Sequence, residues 1–217
     1  EECNLKSVKI AKDAASGRNV AVAGSVSTYG YFLKDGLENM LPSFNEHLKI
    51  LSNSGVDLII LEAMSSQYDI VETLLKCSKK INIPIWLSIS CVFDRNKEIY
   101  LGYDDDVKNE KPQIYENFKD TLHKIKKIHS GPILVAHSNM SVTEEAIKIL
   151  KNNNNQIIGA YPNRGYFEKP EWKFTDNIQP KDYLNKAKSW KNNGAQIIGG
   201  CCGIGLEEIK AISILKN

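Results

Sequence analysis

Two adjacent cysteines framed by glycines, in the run from Gln196 through Gly199-Gly200-Cys201-Cys202-Gly203 to Ile204, are the residues of this chain best suited to chemistry. Ala195 to Ile198 reads as a short buried strand, and Gly203-Ile204-Gly205 leads into a helix that begins at Leu206. Gly199 and Gly200 permit backbone angles and close approaches closed to other residues. Two thiols therefore sit at the carboxyl end of a strand, facing a helix N-terminus, which in α/β proteins is the address of an active site. The helix terminus and any nearby cation are expected to lower a thiol pKa, and the thiolate is the form that ligates metal. The competing reading is a buried structural pair. Glycines on both sides of the two thiols pack a core poorly, which argues against it.

Other candidates lie at the ends of predicted strands. Glu62 closes the apolar run Val56 to Ala63. A carboxylate there is costly to bury without a partner, so it is either a binding group or one half of a pair with a neighbouring loop. Ser25 and Asn163 also stand at strand ends and are candidates to line the same pocket. Trp86, Trp172 and Trp190 read as packing residues, and Asp104-Asp105-Asp106 as a solvated loop.

Trp190, Gly194-Ala195 and Ile197-Ile198-Gly199-Gly200-Cys201-Cys202-Gly203 with Gly205 resemble the signature of the homocysteine S-methyltransferase family. Val22 to Val26 with Tyr29-Gly30, Leu61-Glu62-Ala63, and Tyr161-Pro162-Asn163 with Gly165 resemble further family segments, in the family's order. The resemblance implies an enzyme that moves a methyl group to a thiol sulfur, homocysteine to methionine. It leaves the donor open among S-methylmethionine, a betaine-like onium compound and methylfolate. Glu62 would hold the substrate's α-ammonium group, with Ser25 and Asn163 lining the pocket. Three cysteines bind Zn²⁺ in the family; Cys201 and Cys202 match the last two, and the first falls on Met140.

A thioether is neutral and prefers softer metals, so Met140 is expected to be a poor zinc ligand. His137 is near in sequence, and imidazole is a good ligand. Strand alternation, however, points it away from the Met140 face, and it reads first as a core histidine. The expectation is weak zinc binding by Cys201 and Cys202, or a site completed by water or His137. The chemistry explains the residue types. A free thiol with a pKa near ~8.5 is mostly protonated at neutral pH. Zinc on protein thiolates keeps one position for the substrate sulfur and removes its proton. Two rival functions remain: a catalytically impaired descendant that binds an amino acid or a partner chain, and a vicinal-dithiol redox protein. The second is disfavoured because adjacent cysteines close only a strained ring.

Composition bounds these readings. The chain has 217 residues, 42% hydrophobic, with a formal net charge of +2. That predicts one soluble domain over residues 1–217 and gives no polyanion-binding surface, so nucleic acid is not an expected partner. No apolar run approaches the ~18 residues a membrane span needs. The odd count of five cysteines, two of them adjacent, does not read as a secreted disulfide framework and predicts a reducing, cytoplasmic setting. Oligomerisation is left open.

The elements that must position these residues alternate. Helices are predicted over 4–16, 43–54, 66–80, 112–128, 141–151, 180–192 and 206–216, and strands over 19–24, 56–63, 83–90, 132–139, 156–160 and 195–198. Ser43-Phe44-Asn45-Glu46 and Ser141-Val142-Thr143-Glu144 have the form of capping boxes. A short hairpin is expected around Glu98 to Gly102. Such alternation means βαβ units on a parallel sheet. The resemblance implies a (β/α)8 TIM-barrel-like fold, of which the chain carries strands three to eight, the first two having no counterpart here.

Overall fold

Runs of apolar and β-branched residues separated by amphipathic segments fold into one parallel sheet backed by helices. The computed structural model describes residues 1–27, 36–65, 67–103, 116–153, 156–168, 170–174 and 178–216. The element order is α1 (Glu2–Ala15), β1 (Ala23–Ser27), α2 (Leu37–Asn53), β2 (Leu58–Met64), α3 (Tyr68–Ser78) and β3 (Ile85–Ile89), followed by an antiparallel pair, β4 (Cys91–Phe93) and β5 (Ile99–Leu101). Then come α4 (Phe118–Ile125), β6 (Ile133–Asn139), α5 (Met140–Asn153), β7 (Ile158–Asn163) and a second antiparallel pair, β8 (Tyr166–Glu168) and β9 (Glu171–Lys173). The chain ends with α6 (Pro180–Asn192), β10 (Ile197–Ile198), α7 (Leu206–Ile212) and a 3₁₀ turn, Ser213–Leu215.

The sheet runs β1-β2-β3-β6-β7-β10, every neighbouring pair parallel and in chain order. This is the strand succession of a (β/α) barrel, open between β1 and β10 among the described residues. Ile59, Leu61, Leu87, Ile133, Val135, Ile158 and Ala160 alternate onto the face that packs against the helices, and with Leu74, Phe118, Ile147 and Trp190 they form the core. The other face carries Glu62, Ser88 and Tyr161. No helix among the described residues is long and apolar enough to cross a membrane.

Three local expectations need correction. Ser43 does not cap a helix: α2 starts at Leu37 and contains Pro42. An interior proline costs about 3 kcal/mol, but Met40, Phe44, Leu48 and Leu51 form one buried stripe across it. Each such burial returns about 1.5–3 kcal/mol, so the stripe prevails. Nor does Ser141 cap α5. The helix follows β6 without a break, and the Asn139 Oδ1 accepts from the Ser141 N–H at 2.9 Å and from its hydroxyl at 2.8 Å. Finally, β1 extends to Ser27, so Gly24 and Ser25 lie within the strand rather than at its carboxyl end. Thr28, Tyr29-Gly30 and Asp104 to Asp106 fall outside the described residues, as do the first residues of the helix predicted over 112–128.

Candidate active site

The carboxyl ends of β2, β3, β6, β7 and β10 meet around two groups of side chains, one built on a carboxylate and one on thiols. Glu62, next to last but one in β2, supplies the first. Its Oε1 accepts from the Ser88 hydroxyl of β3 at 2.9 Å and from the Tyr161 hydroxyl of β7 at 2.8 Å. Two donors on one oxygen satisfy a half-buried carboxylate and hold its rotamer. Burial, then the charge of Glu62, pushes the Tyr161 hydroxyl far above its ordinary range, so it stays a donor. Ser88 stands alone as a polar residue in the run Ile85-Trp86-Leu87-Ser88-Ile89. A lone hydroxyl in an apolar run is a sequence signal for a polar site, whereas nothing local marks the Tyr161 hydroxyl as its partner.

Cys201 and Cys202 supply the second group. Although β10 has two residues, the chain stays bonded to β7 beyond it: the Cys201 N–H donates to the Pro162 carbonyl at 3.0 Å, and the Arg164 N–H donates to the Cys202 carbonyl at 2.8 Å. Glycine is required in this turn. Gly203 has φ +79°, and a Cβ there would lie 2.7 Å from the Arg164 carbonyl oxygen. The two sulfurs are 3.9 Å apart, and neither cysteine is in a disulfide.

His137 joins them, against the expectation from strand alternation. Its ligating nitrogen and both sulfurs lie within 4.8 Å of one another. The reason is a bulge. Ala136 pairs with Tyr161 and Asn139 with Asn163, so three steps along β6 match two along β7. His137 takes φ 45° at this bulge, which re-aims the ring. A matching bulge occurs in β2, where Leu61 pairs with Leu87 and Met64 with Ile89, and Ala63 has φ 53°. Met140, by contrast, is 6% exposed and packs in the core at the start of α5.

Electrostatics also depart from expectation at the thiols. The hydrogen bond with Cys202 and then burial push the Cys201 thiol well above its usual range, and a hydrogen bond with His137 only partly opposes this. The helix terminus does not reverse the effect. α7 begins at Leu206, and its own Glu208 carboxylate accepts from the Gly205 N–H at 2.9 Å.

The donors fit zinc. Two thiolates at ~2.3 Å from a tetrahedral ion stand ~3.8 Å apart, close to the 3.9 Å between the Cys201 and Cys202 sulfurs. Imidazole belongs to the same ligand class. Asn163 is buried at the end of β7, and its Oδ1 has no hydrogen-bond partner among the described residues. Ser25 lies within β1. It is exposed and pairs with Ile60, and Ser27 is the residue in register with Glu62. Trp190 is fully buried, as a packing residue should be. Trp172 donates its indole N–H to the Arg164 carbonyl at 2.7 Å and places its ring edge-on to His137.

Comparison with known proteins is consistent with this arrangement. Homocysteine S-methyltransferase 1 of Zea mays is 30% identical over 220 residues, covering 90% of this chain and 62% of the maize protein. The chain thus spans about three-fifths of the length of the curated relatives it matches. Among solved structures, the homocysteine methyltransferase MmuM from Escherichia coli superposes in its apo form with a TM-score of 0.65 at 19% identity, covering 96% of this chain and 67% of that one. Its metallated form gives 0.59 at 19% identity, over 97% and 66%. These likenesses establish a common fold. The family described as Homocysteine S-methyltransferase matches residues 1–215, and the chain belongs to that family.

Proposed function

We propose that residues 1–217 form a homocysteine-binding domain that moves a methyl group to a thiol sulfur, homocysteine to methionine, in a reducing cytoplasmic compartment. One observation carries the reading. The Tyr161 hydroxyl donates to the Glu62 carboxylate at 2.8 Å, and the carbonyl of the next residue, Pro162, accepts from the Cys201 N–H at 3.0 Å, so an ammonium-binding group and a metal-binding group adjoin at the end of one strand. A thiol amino acid has an ammonium at one end and a sulfur at the other.

In this reading Glu62 takes the α-ammonium. Ser88 and Tyr161 occupy one of its oxygens and turn the other toward the substrate. The buried Asn163 Oδ1 offers a second acceptor to the same ammonium, since an orphaned buried acceptor calls for a donor. Cys201, Cys202 and His137 would hold zinc, which supplies a Lewis acid that keeps the substrate sulfur as a thiolate. The partial burial of Cys201 limits water around its sulfur. The methyl donor approaches the thiolate, one C–S bond forming as the donor's bond to the methyl breaks.

The test is calorimetry of L-homocysteine binding to the zinc-loaded, reduced chain. Glu62→Gln keeps the size and removes the charge. It should weaken binding by ~1.5–3 kcal/mol, the value of a charge-assisted hydrogen bond. Unchanged affinity would leave Glu62 a structural residue and remove the basis for the reading. A second reading, an amino-acid- or partner-binding descendant without transfer, is favoured by Met140 at the family's first cysteine position, buried in the core. Homocysteine binding without product in the presence of methyl donors would favour it.

A further inference from the structure

We infer that this chain carries a Cys₂His metal site, in which His137 provides the third ligand beside Cys201 and Cys202. The inference rests on the reading above for the purpose of the ion, not for its ligands.

Three observations carry it. The donor atoms of the three residues lie within 4.8 Å of one another, and among the described residues theirs is the one group of metal-ligating side chains so placed. The backbone at His137 is held at φ 45°, a conformation that non-glycine residues rarely adopt and that persists only where its surroundings impose it. The ring is also fixed from two sides. Tyr103 meets it edge-on with centroids 5.3 Å apart, and Trp172 does so at 6.3 Å. Tyr103 is itself anchored, its hydroxyl donating to the Ala63 carbonyl at 2.6 Å. Ala63 is the bulge residue of β2, so Tyr103 is a strut from the carboxylate's strand to the imidazole. A histidine that only filled space would not need its ring held from two sides.

The ligand chemistry follows from charge. Two thiolates and a neutral imidazole bring a divalent ion to zero net charge, and a third thiolate would bring it to minus one. The Cys₂His ion is therefore the stronger Lewis acid toward whatever occupies its fourth position. It suits borderline metals such as Zn²⁺ and Co²⁺.

The experiment titrates the reduced full chain with cobalt(II), without substrate, and follows the sulfur-to-metal charge-transfer absorption; zinc affinity is then read by competition. The unmodified chain should give a tetrahedral spectrum with the intensity of two thiolates. His137→Cys should raise that intensity by about half, in the ratio of three thiolates to two, and His137→Ala should lower zinc affinity tenfold or more. Tyr103→Phe breaks the strut's anchor and should lower affinity less than His137→Ala, with the spectrum unchanged in type. Met140→Cys should change neither quantity. Melting of each metal-free variant separates loss of a ligand from loss of the fold. If His137→Ala binds as tightly as the unmodified chain, or if Met140→Cys adds the third-thiolate intensity and His137→Cys does not, the assignment is overturned. No metal binding by the unmodified chain overturns it too. Because homocysteine is absent, a sound metal result with an indifferent Glu62→Gln would refute the functional reading alone.

Discussion

The carboxylate group and the thiol group of the site use the same backbone device for different ends. Each sits at a bulge near the carboxyl end of a parallel strand, with a non-glycine residue at positive φ: Ala63 in β2 and His137 in β6. In β2 the bulged residue contributes backbone groups, its N–H donating to the Ser88 Oγ at 3.4 Å and its carbonyl anchoring Tyr103, and Glu62 beside it finds both its donors inside the protein. In β6 the bulged residue contributes its side chain, and the group it joins gathers two thiols and an imidazole whose donor atoms lie within 4.8 Å of one another. The carboxylate group is thus preformed, and the thiol group presents donors to a cation. A bulge shifts side-chain parity by one residue wherever it falls, so what it achieves depends on which residue occupies it.

The comparison is most severely tested by removing a ligand. Cys201→Ser should lower zinc affinity by more than about a hundredfold, beyond the loss typical of residues that merely support a ligand. The carboxylate group should be untouched, so the metal-free melting temperature should stay close to that of the unmodified chain. Zinc competition and a thermal scan check this; a comparable loss of fold stability would mean that the two groups are not separable.

A smaller effect is expected on the preformed side. Tyr161→Phe removes one of two donors to Glu62 and should cost ~0.5–1.5 kcal/mol of homocysteine binding. Zinc affinity should hold, because the Tyr161 hydroxyl is not among the donors. If calorimetry showed zinc affinity falling as much as substrate affinity, Tyr161 would belong to both groups equally.

The smallest effect lies far from the site, at the amino end of β6. Burial and then the nearby charge of Lys79 hold His129 below its ordinary pKa of 6.5, with its hydrogen bond to the Pro132 carbonyl opposing. A lowered histidine pKa means that the folded state prefers the neutral ring. That stability is present above the unfolded pKa and is lost as pH falls through 6.5 toward the folded value. The melting temperature should therefore decline below about pH 6.5, and His129→Gln should flatten the decline. Zinc release with the same midpoint, abolished by His129→Gln, would tie the two ends of β6 together and spoil the separation.

Much of the architecture was legible before any coordinates. The alternation of apolar runs with amphipathic segments specified six parallel strands, because strands covered by helices show continuous apolar sequence. Pro180–Asn192 was readable to the residue, with proline at its start. Glu62, Asn163, Cys201 and Cys202 were readable near strand ends, since each lies in or within a few residues of an apolar run. Starts overridden by packing were not legible: Pro42 looked like the end of a loop until the stripe from Met40 to Leu51 was seen buried as one face.

Tertiary structure alone decided which residues meet. Period-2 alternation assigned His137 to the wrong side because a sequence carries no mark of one extra residue in a ladder; that residue is defined only by the register against β7. The same holds for Ser25, placed by a strand that turned out to continue to Ser27, and for Tyr161, whose hydroxyl reaches Glu62 across 99 positions of chain. Residue type set what each group can do: a carboxylate for an ammonium, thiols and an imidazole for a metal. Register, bulges and the curl of the sheet decided which of them share a site, because those depend on pairings between distant segments that no local pattern encodes.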